Sequence, residues 1–171
     1  KGLTLSCLKS LNKISSKTKF EVVVVDNNSK DDSPVEIKKI KLPGVESRFI
    51  ENKENRGFAA ANNQGFEISK GKYILLLNSD TELKTDVVTP LIKWMDSHPD
   101  SGVATVALLN PDGTIQATGG YFPSLLRLAA WAFFLDDLPL LSNFIRPYHP
   151  HTAGFLGGSV YKKDGQLDWV T

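Results

Sequence analysis

Cysteine is almost absent. Cys7 is the only one among 171 residues, so no disulfide can close within the chain, and no Cys/His cluster has the spacing of a metal site. That usage fits a reducing compartment and leaves Cys7 as a small packing residue. Charge of one sign is lacking as well: 20 Lys plus Arg face 19 Asp plus Glu, for a net charge of +1. No basic block tracks a phosphate backbone, which argues against nucleic acid as a partner. Long apolar runs are missing too. The longest, "LLRLAAWAFFLDDLPLL" at 125–141, is broken by Arg127, Asp136, Asp137 and Pro139 and falls short of the ~20 residues of a spanning helix. No G-x-G-x-x-G follows a strand and no signature Lys/Arg loop occurs, which speaks against a dinucleotide-dependent dehydrogenase or a nucleotidyltransferase.

What remains has 41% hydrophobic residues, enough for one core of ordinary size, and the length favours one domain over 1–171. "KGLTLSCLKSLNKI" begins as an amphipathic helix with Leu3, Cys7 or Leu8, and Leu11 on one face and no strand before it. "KFEVVVVDNNS" at 19–29 reads as a strand buried on both faces, as in a parallel sheet. A short helix is expected at 34–41, a second strand at 44–52 and a helix within 55–71 that closes on a glycine. "KYILLLNSD" at 72–80 reads as a third strand, 84–100 as a helix starting near Thr85 and ending before Pro99, and "GVATVALL" as a further strand. Asp112-Gly113 then marks a hairpin turn. The alternation of strand and helix predicts an open α/β sheet with right-handed crossovers.

Ligands in such sheets bind at the carboxyl ends of the strands, where Asp26, Asn27, Asn28, Asn78, Ser79 and Asp80 gather. Asp80, with Glu82 two residues on, suits a hard divalent cation that keeps its waters and grips a diphosphate; it equally suits a helix N-cap or an Asx turn. Asp26 can accept from a base N–H or a ribose hydroxyl, or simply shape its turn. In "ENRGFAAANNQG", Arg56 stands at a helix entrance where a diphosphate would also meet unpaired N–H groups, and Asn62 and Asn63 can aim amides toward the strand ends. Gly57 and the alanines serve loop and helix on the plainer reading. His98 suits a helix cap, and His149 and His151 a surface loop. Trp131, Phe133 and Phe134 lie on an amphipathic segment that suits a packed core helix or a partner contact better than a lipid surface, since Lys and Arg are scarce there.

Taken in order, "FEVVVVDNNSKDDS", "ENRGFAAANNQGF", "GKYILLLNSDTEL", "LLNPDGTIQATGGYFPSL" and "LDWVT" resemble the donor half of a family 2 glycosyltransferase of the GT-A fold, in its rhamnosyltransferase-like branch, over residues 3–171. The resemblance implies a GT-A nucleotide-diphospho-sugar transferase fold. It gives Asp26 to base or ribose, and Asn28, Arg56, Gly57 and Asn63 to donor binding. It sets Asn78, Ser79 and Asp80 at the DXD position, with Asp80 holding Mg²⁺ or Mn²⁺. Asn78 replaces the first Asp of that motif, so the metal has one strong anchor. The family's first strand would precede Lys1, and its general base would follow Thr171; Asp164 and Asp168 do not sit in the expected motif.

The implied activity is transfer of a sugar from dTDP-rhamnose or a UDP-sugar to a glycan or polyprenyl-linked acceptor, with inversion, in the synthesis of cell-surface polysaccharide and cell wall. The implied location is the cytoplasm, including peripheral contact with the inner face of the plasma membrane. The alternative is a non-catalytic module of the same fold that binds a nucleotide or a protein.

Overall fold

In the computed structural model, which describes residues 1–15, 17–116, 119–133, 135 and 169–170, the four valines at 22–25 form the middle of β1, Glu21–Asp26. After α2, Ser33–Lys39, the chain returns as β2, Glu46–Glu51, which pairs with β1 in parallel from Glu21 opposite Glu46 to Asp26 opposite Glu51. The valine run is continuous because both faces of β1 are covered. Val22 and Val24 join the core made by Leu8, Leu11, Ile14, Ile37, Leu42 and Leu83. Val23 and Val25 face α3, Phe58–Ile68, where a Cβ on Gly65 would lie 3.7 and 3.6 Å from their methyl groups. The small residue lets the helix sit close to the strand.

Helix α1, Gly2–Ser10, and a 3-10 turn, Leu11–Lys13, supply one wall of that core. Buried Ser10 donates to the Cys7 carbonyl at 2.7 Å and accepts the Leu83 N–H at 3.0 Å, while Lys13 Nζ donates to the Leu83 carbonyl at 2.8 Å. At the amino ends of the strands Arg48 bonds to Glu21 and to the Ile68 carbonyl, and Glu21 accepts the Lys70 N–H at 2.6 Å. That cluster ties the end of α3 to the sheet.

Helix α4, Val88–Ser97, ends ahead of Pro99 as expected but begins three residues after Thr85. Asp86 explains the start, because its carboxylate accepts the Thr89 N–H at 3.0 Å, the Thr89 hydroxyl at 2.7 Å and the Ser15 N–H at 2.8 Å.

The expected third strand at 72–80 is a correction. Residues 74–78 form no strand, because among the described residues no neighbouring chain offers them a ladder, and Ile74, Leu75 and Leu76 are exposed. The segment is held instead through side chains at its amino end: Lys72 and Tyr73 both reach Asp96 of α4, the tyrosine hydroxyl at 2.8 Å.

The chain divides into two units, Lys1–Ser97 and His98–Thr171. In the second, the strand expected from "GVATVALL" shortens to β3, Leu108–Leu109, which pairs antiparallel with β4, Ile115–Gln116. The turn falls where Asp112-Gly113 places it, with Gly113 at φ +84° and Asp112 accepting the Thr114 N–H at 2.9 Å. β5, Gly119–Gly120, pairs antiparallel with β6, Trp169–Val170. Between them in sequence, α5, Leu125–Ala132, is capped by the Ser124 hydroxyl. Of the two expectations for this segment, a packed core helix or a partner contact, the first does not hold: Ala130 is buried, whereas Leu125, Leu126, Trp131 and Phe133 are exposed. Phe134, His149, His151, Asp164 and Asp168 lie outside the described residues.

Two outcomes follow for stability. Burial opposes the charge on Asp86, yet the bonds from Thr89 and Ser15 hold its carboxyl below the usual carboxylate range. A depressed folded pKa stabilises above the unfolded value of about 3.9 and stops doing so as pH falls through the folded value. The stability difference between wild type and Asp86→Asn, read from urea midpoints, should therefore shrink from pH 7 to pH 3. Gly57, the residue before α3, has φ +81° with nothing within 4 Å of an added Cβ. With ψ at 165° this is a region essentially reserved for glycine, so Gly57→Ala should cost about 1–3 kcal/mol in urea unfolding through backbone strain.

Candidate active site

Asp26 ends β1 buried, with 6% of its surface exposed. One carboxylate oxygen accepts the Ser29 N–H at 3.0 Å, closing an Asx turn, and the Asp26 carbonyl accepts the Asn52 N–H at 2.9 Å, which extends the ladder past the end of β2. Asn28 sits inside that turn at φ +71°, a conformation that asparagine tolerates better than most residues.

Asn27 reaches the other way. Its side chain is met by Asn52 and by the loop 55–57 that leads into α3, and Asn52 exchanges two hydrogen bonds with Gln64 of that helix at 2.8 and 3.0 Å. The amide cluster thus joins the ends of β1 and β2 to α3. The Arg56 side chain is exposed, and no acidic partner meets its guanidinium among the described residues. Among the described residues no side chain caps the start of α3, where Gly57 stands at the N-cap position.

Asn78, Ser79 and Asp80 follow the apolar run as an exposed tight turn. The Asn78 carbonyl accepts from the Thr81 N–H at 3.1 Å, the Thr81 hydroxyl at 2.6 Å and, at 3.6 Å, the buried Cys7 thiol. Burial raises the pKa of Cys7; a Thr81 hydrogen bond works against this and the Asp80 charge adds to it. The turn lines an open cleft of about 280 Å³ together with Leu76, Leu77 and, from the first turns of α3, Phe58 and Asn62. Asn63 is exposed on α3 and is not among the residues that line it. The cleft and the amide cluster meet at the start of α3, where Gly57 belongs to one and Phe58 to the other.

The two carboxylates that sequence spacing pairs have different surroundings. Glu82 is drawn to Lys13 at 3.6 Å and Lys84 at 4.0 Å, whereas Asp80 has no hydrogen-bond or ion-pair partner among the described residues. No group of three or more His, Cys, Asp or Glu side chains that could hold a metal occurs among them. One carboxylate beside polar Asn and Ser oxygens fits a magnesium-like ion that keeps several waters and takes its remaining ligands from a substrate phosphate. An all-protein metal cage does not fit.

Sequence reasoning singled out the strand ends and passed over Asn52, Asn55, Gln64 and Phe58. The available signal was the amide density of "DNN" and "ENKEN" at the ends of β1 and β2 and of "ANNQ" within α3.

The sequence matches the family described as "Glycosyl transferase family 2" over residues 3–155. Across 80 residues it is 30% identical to the dolichol-phosphate mannosyltransferase of Saccharomyces cerevisiae, covering 47% of this chain and 30% of that protein. Across 92 residues it is 35% identical to the succinoglycan biosynthesis protein ExoO of Rhizobium meliloti, covering 54% and 25%. Across 87 residues it is 31% identical to the poly-beta-1,6-N-acetyl-D-glucosamine synthase of Staphylococcus aureus, covering 51% and 21%. The chain thus spans less than a third of the length of each of these relatives. No solved structure matches it. With 153 consecutive positions, from 3 to 155, inside the family match and a parallel α/β core bearing the cleft, this chain belongs to glycosyl transferase family 2 and has its GT-A fold.

Proposed function

We propose that the chain is the donor-binding domain of a glycosyltransferase that moves a sugar from a nucleotide diphosphate to a glycan or polyprenyl-linked acceptor. The observation that carries this reading is the cleft that sets the Asn78-Ser79-Asp80 turn against the start of α3. Cation and diphosphate have complementary places there. Asp80 would hold the ion, and Arg56, just ahead of α3, and the uncapped N–H groups of that helix would supply positive charge and donors to the phosphate oxygens. Family members generally use a divalent metal, here Mg²⁺ or Mn²⁺; when bound, it supplies charge neutralisation on the departing diphosphate. Asp26, with one carboxylate oxygen engaged by Ser29, has its other oxygen for a base N–H or ribose hydroxyl, beside Asn28.

The donor is dTDP-rhamnose or a UDP-sugar on this reading, in keeping with the rhamnosyltransferase-like motif order. Transfer is inverting: a base deprotonates the acceptor hydroxyl, which displaces the diphosphate at the anomeric carbon. The acceptor side of the reaction is assigned to none of the described residues. The names of the relatives, which speak of succinoglycan biosynthesis, a poly-N-acetylglucosamine synthase and a dolichol-phosphate transferase, support a role in surface polysaccharide or lipid-linked sugar synthesis. No helix among the described residues is long and apolar enough to cross a membrane. Work at the inner face of the plasma membrane through peripheral contact suits a polyprenyl-linked acceptor.

Titration calorimetry with UDP, dTDP and GDP, each with and without Mn²⁺, tests the reading. One nucleotide should bind with metal-enhanced affinity. Asp80→Ala should weaken that metal-dependent binding by about tenfold or more, the loss of one charge-assisted ligand. It should leave the melting temperature near that of wild type, because the side chain is exposed. Undiminished metal-dependent affinity in the variant would refute the assignment of Asp80.

A further inference from the structure

We propose that Asn27 is a positioning residue whose side-chain amide sets the loop carrying Arg56 and the start of α3 for the donor diphosphate, a role that rests on the donor-site reading above. All the hydrogen-bonding capacity of that amide is engaged. Its Nδ2 donates to Asn55 Oδ1 at 2.8 Å and to the Gly57 carbonyl at 3.2 Å. Its Oδ1 accepts the Arg56 N–H at 3.0 Å and Asn52 Nδ2 at 3.2 Å. Two donors and two lone pairs are thus filled, which is the full complement of an asparagine.

The orientation of this amide is dictated by the main chain. The Arg56 N–H can meet only the oxygen, and the Gly57 carbonyl can meet only the nitrogen, so a flipped amide would set donor against donor and acceptor against acceptor. Asn55 closes the ring by accepting the Gly57 N–H at 2.9 Å, with the same oxygen that receives Asn27. Residues 55, 56 and 57 are therefore each bonded to one side chain at the end of β1.

That bonding decides where the phosphate-facing groups point. Gly57 adopts φ +81°, a conformation open to glycine, and its carbonyl also accepts the Ala61 N–H at 3.2 Å in the first turn of α3. Asn27 holds the Asn55–Arg56 and Gly57–Phe58 peptides, and Asn55 holds the Arg56–Gly57 peptide between them, without touching the guanidinium. Behind it, Asn52 and Gln64 lock β2 to α3, so the clamp stands on the sheet and not on another loop. A side chain placed this way acts on donor affinity through the residues it holds.

The test compares wild type, Asn27→Ala and Asn27→Asp in titration calorimetry with UDP, dTDP and GDP plus Mn²⁺, alongside thermal melting and hydrogen exchange of the Arg56 and Gly57 amides without nucleotide. Both variants should remain folded, exchange faster at Arg56 or Gly57, and bind the preferred nucleotide about tenfold more weakly, as expected for the loss of one or two oriented hydrogen bonds. Asn27→Asp keeps both acceptor contacts but turns a carboxylate toward the Gly57 carbonyl and Asn55 Oδ1. Its affinity, relative to wild type at each pH, should recover as pH is lowered toward about 5, when a protonated carboxyl regains a donor. A residue that only supports the fold would lower the melting temperature and leave the affinity of the folded protein unchanged, which overturns the proposal. If Asn27→Ala does not fold, Asn55→Ala, at an exposed position, breaks the same clamp and should weaken binding likewise; unchanged affinity there also overturns it. Wild type that binds none of the nucleotides overturns the donor reading together with this role, whereas binding by wild type with unaltered variants overturns the role of Asn27 alone.

Discussion

The covering of β1 on both faces, which leaves its valines half-buried between helices, is the constraint on which the rest depends. A strand covered on one side alternates apolar and polar residues; one covered on both sides cannot, and the valine run at 22–25 answers to α1 and α2 on one face and α3 on the other. Once those faces are filled, β1 cannot shift register by a residue without exchanging its two valine sets between differently shaped surfaces. Its end is thereby fixed, and with it the place where Asp26 enters its turn and Asn27 reaches the loop before α3. The polar chemistry begins where the apolar run stops because only there does the backbone leave the ladder.

The same logic explains why so many amides collect at this end. Strand ends and a helix start leave main-chain donors and acceptors without secondary-structure partners, and each must be satisfied or solvated. Asparagine and glutamine present both kinds of group, so Asn27, Asn52, Asn55 and Gln64 can bond to one another and to the Arg56 and Gly57 main chain with no net charge. A carboxylate in the place of any of them would add a negative charge beside the groups assigned to a diphosphate. The one buried acid nearby, Asp26, is turned toward Ser29 instead.

Much of this was readable in the sequence, for physical reasons that differ by element. β1, α2, β2 and α3 follow from local pattern, since a valine run, a proline at a helix start and a glycine ahead of alanines act within a few residues. The hairpin turn at Asp112-Gly113 was legible for the same reason. The segment 72–80 was not, because an apolar run states that it prefers burial but not that a partner strand lies beside it, and pairing is decided by distant residues. α5 shows the same gap: its period predicts an apolar face, and the packing of that face lies beyond the pattern. In the site, the carboxylates stood out because they end strands. The amide cluster did not, since its bonds join residues 12 to 30 positions apart.

The unequal surroundings of Asp80 and Glu82 bear on what kind of metal site this chain can make. Two carboxylates at that spacing would, if both were free, favour a tightly held ion carrying much of its charge compensation from the protein. Lys13 and Lys84 take up Glu82, and Lys13 is held in turn by the Leu83 carbonyl, so that withdrawal is anchored to the same core that positions the turn. Asn78 offers only neutral oxygens, and its carbonyl is already committed to Thr81 and Cys7. In the donor site proposed above, Asp80 would be a single negative ligand, too little to hold a hydrated dication strongly and enough to help one that arrives with a diphosphate. Metal and nucleotide should then bind as one unit, each raising the affinity for the other by the same factor, as linkage requires.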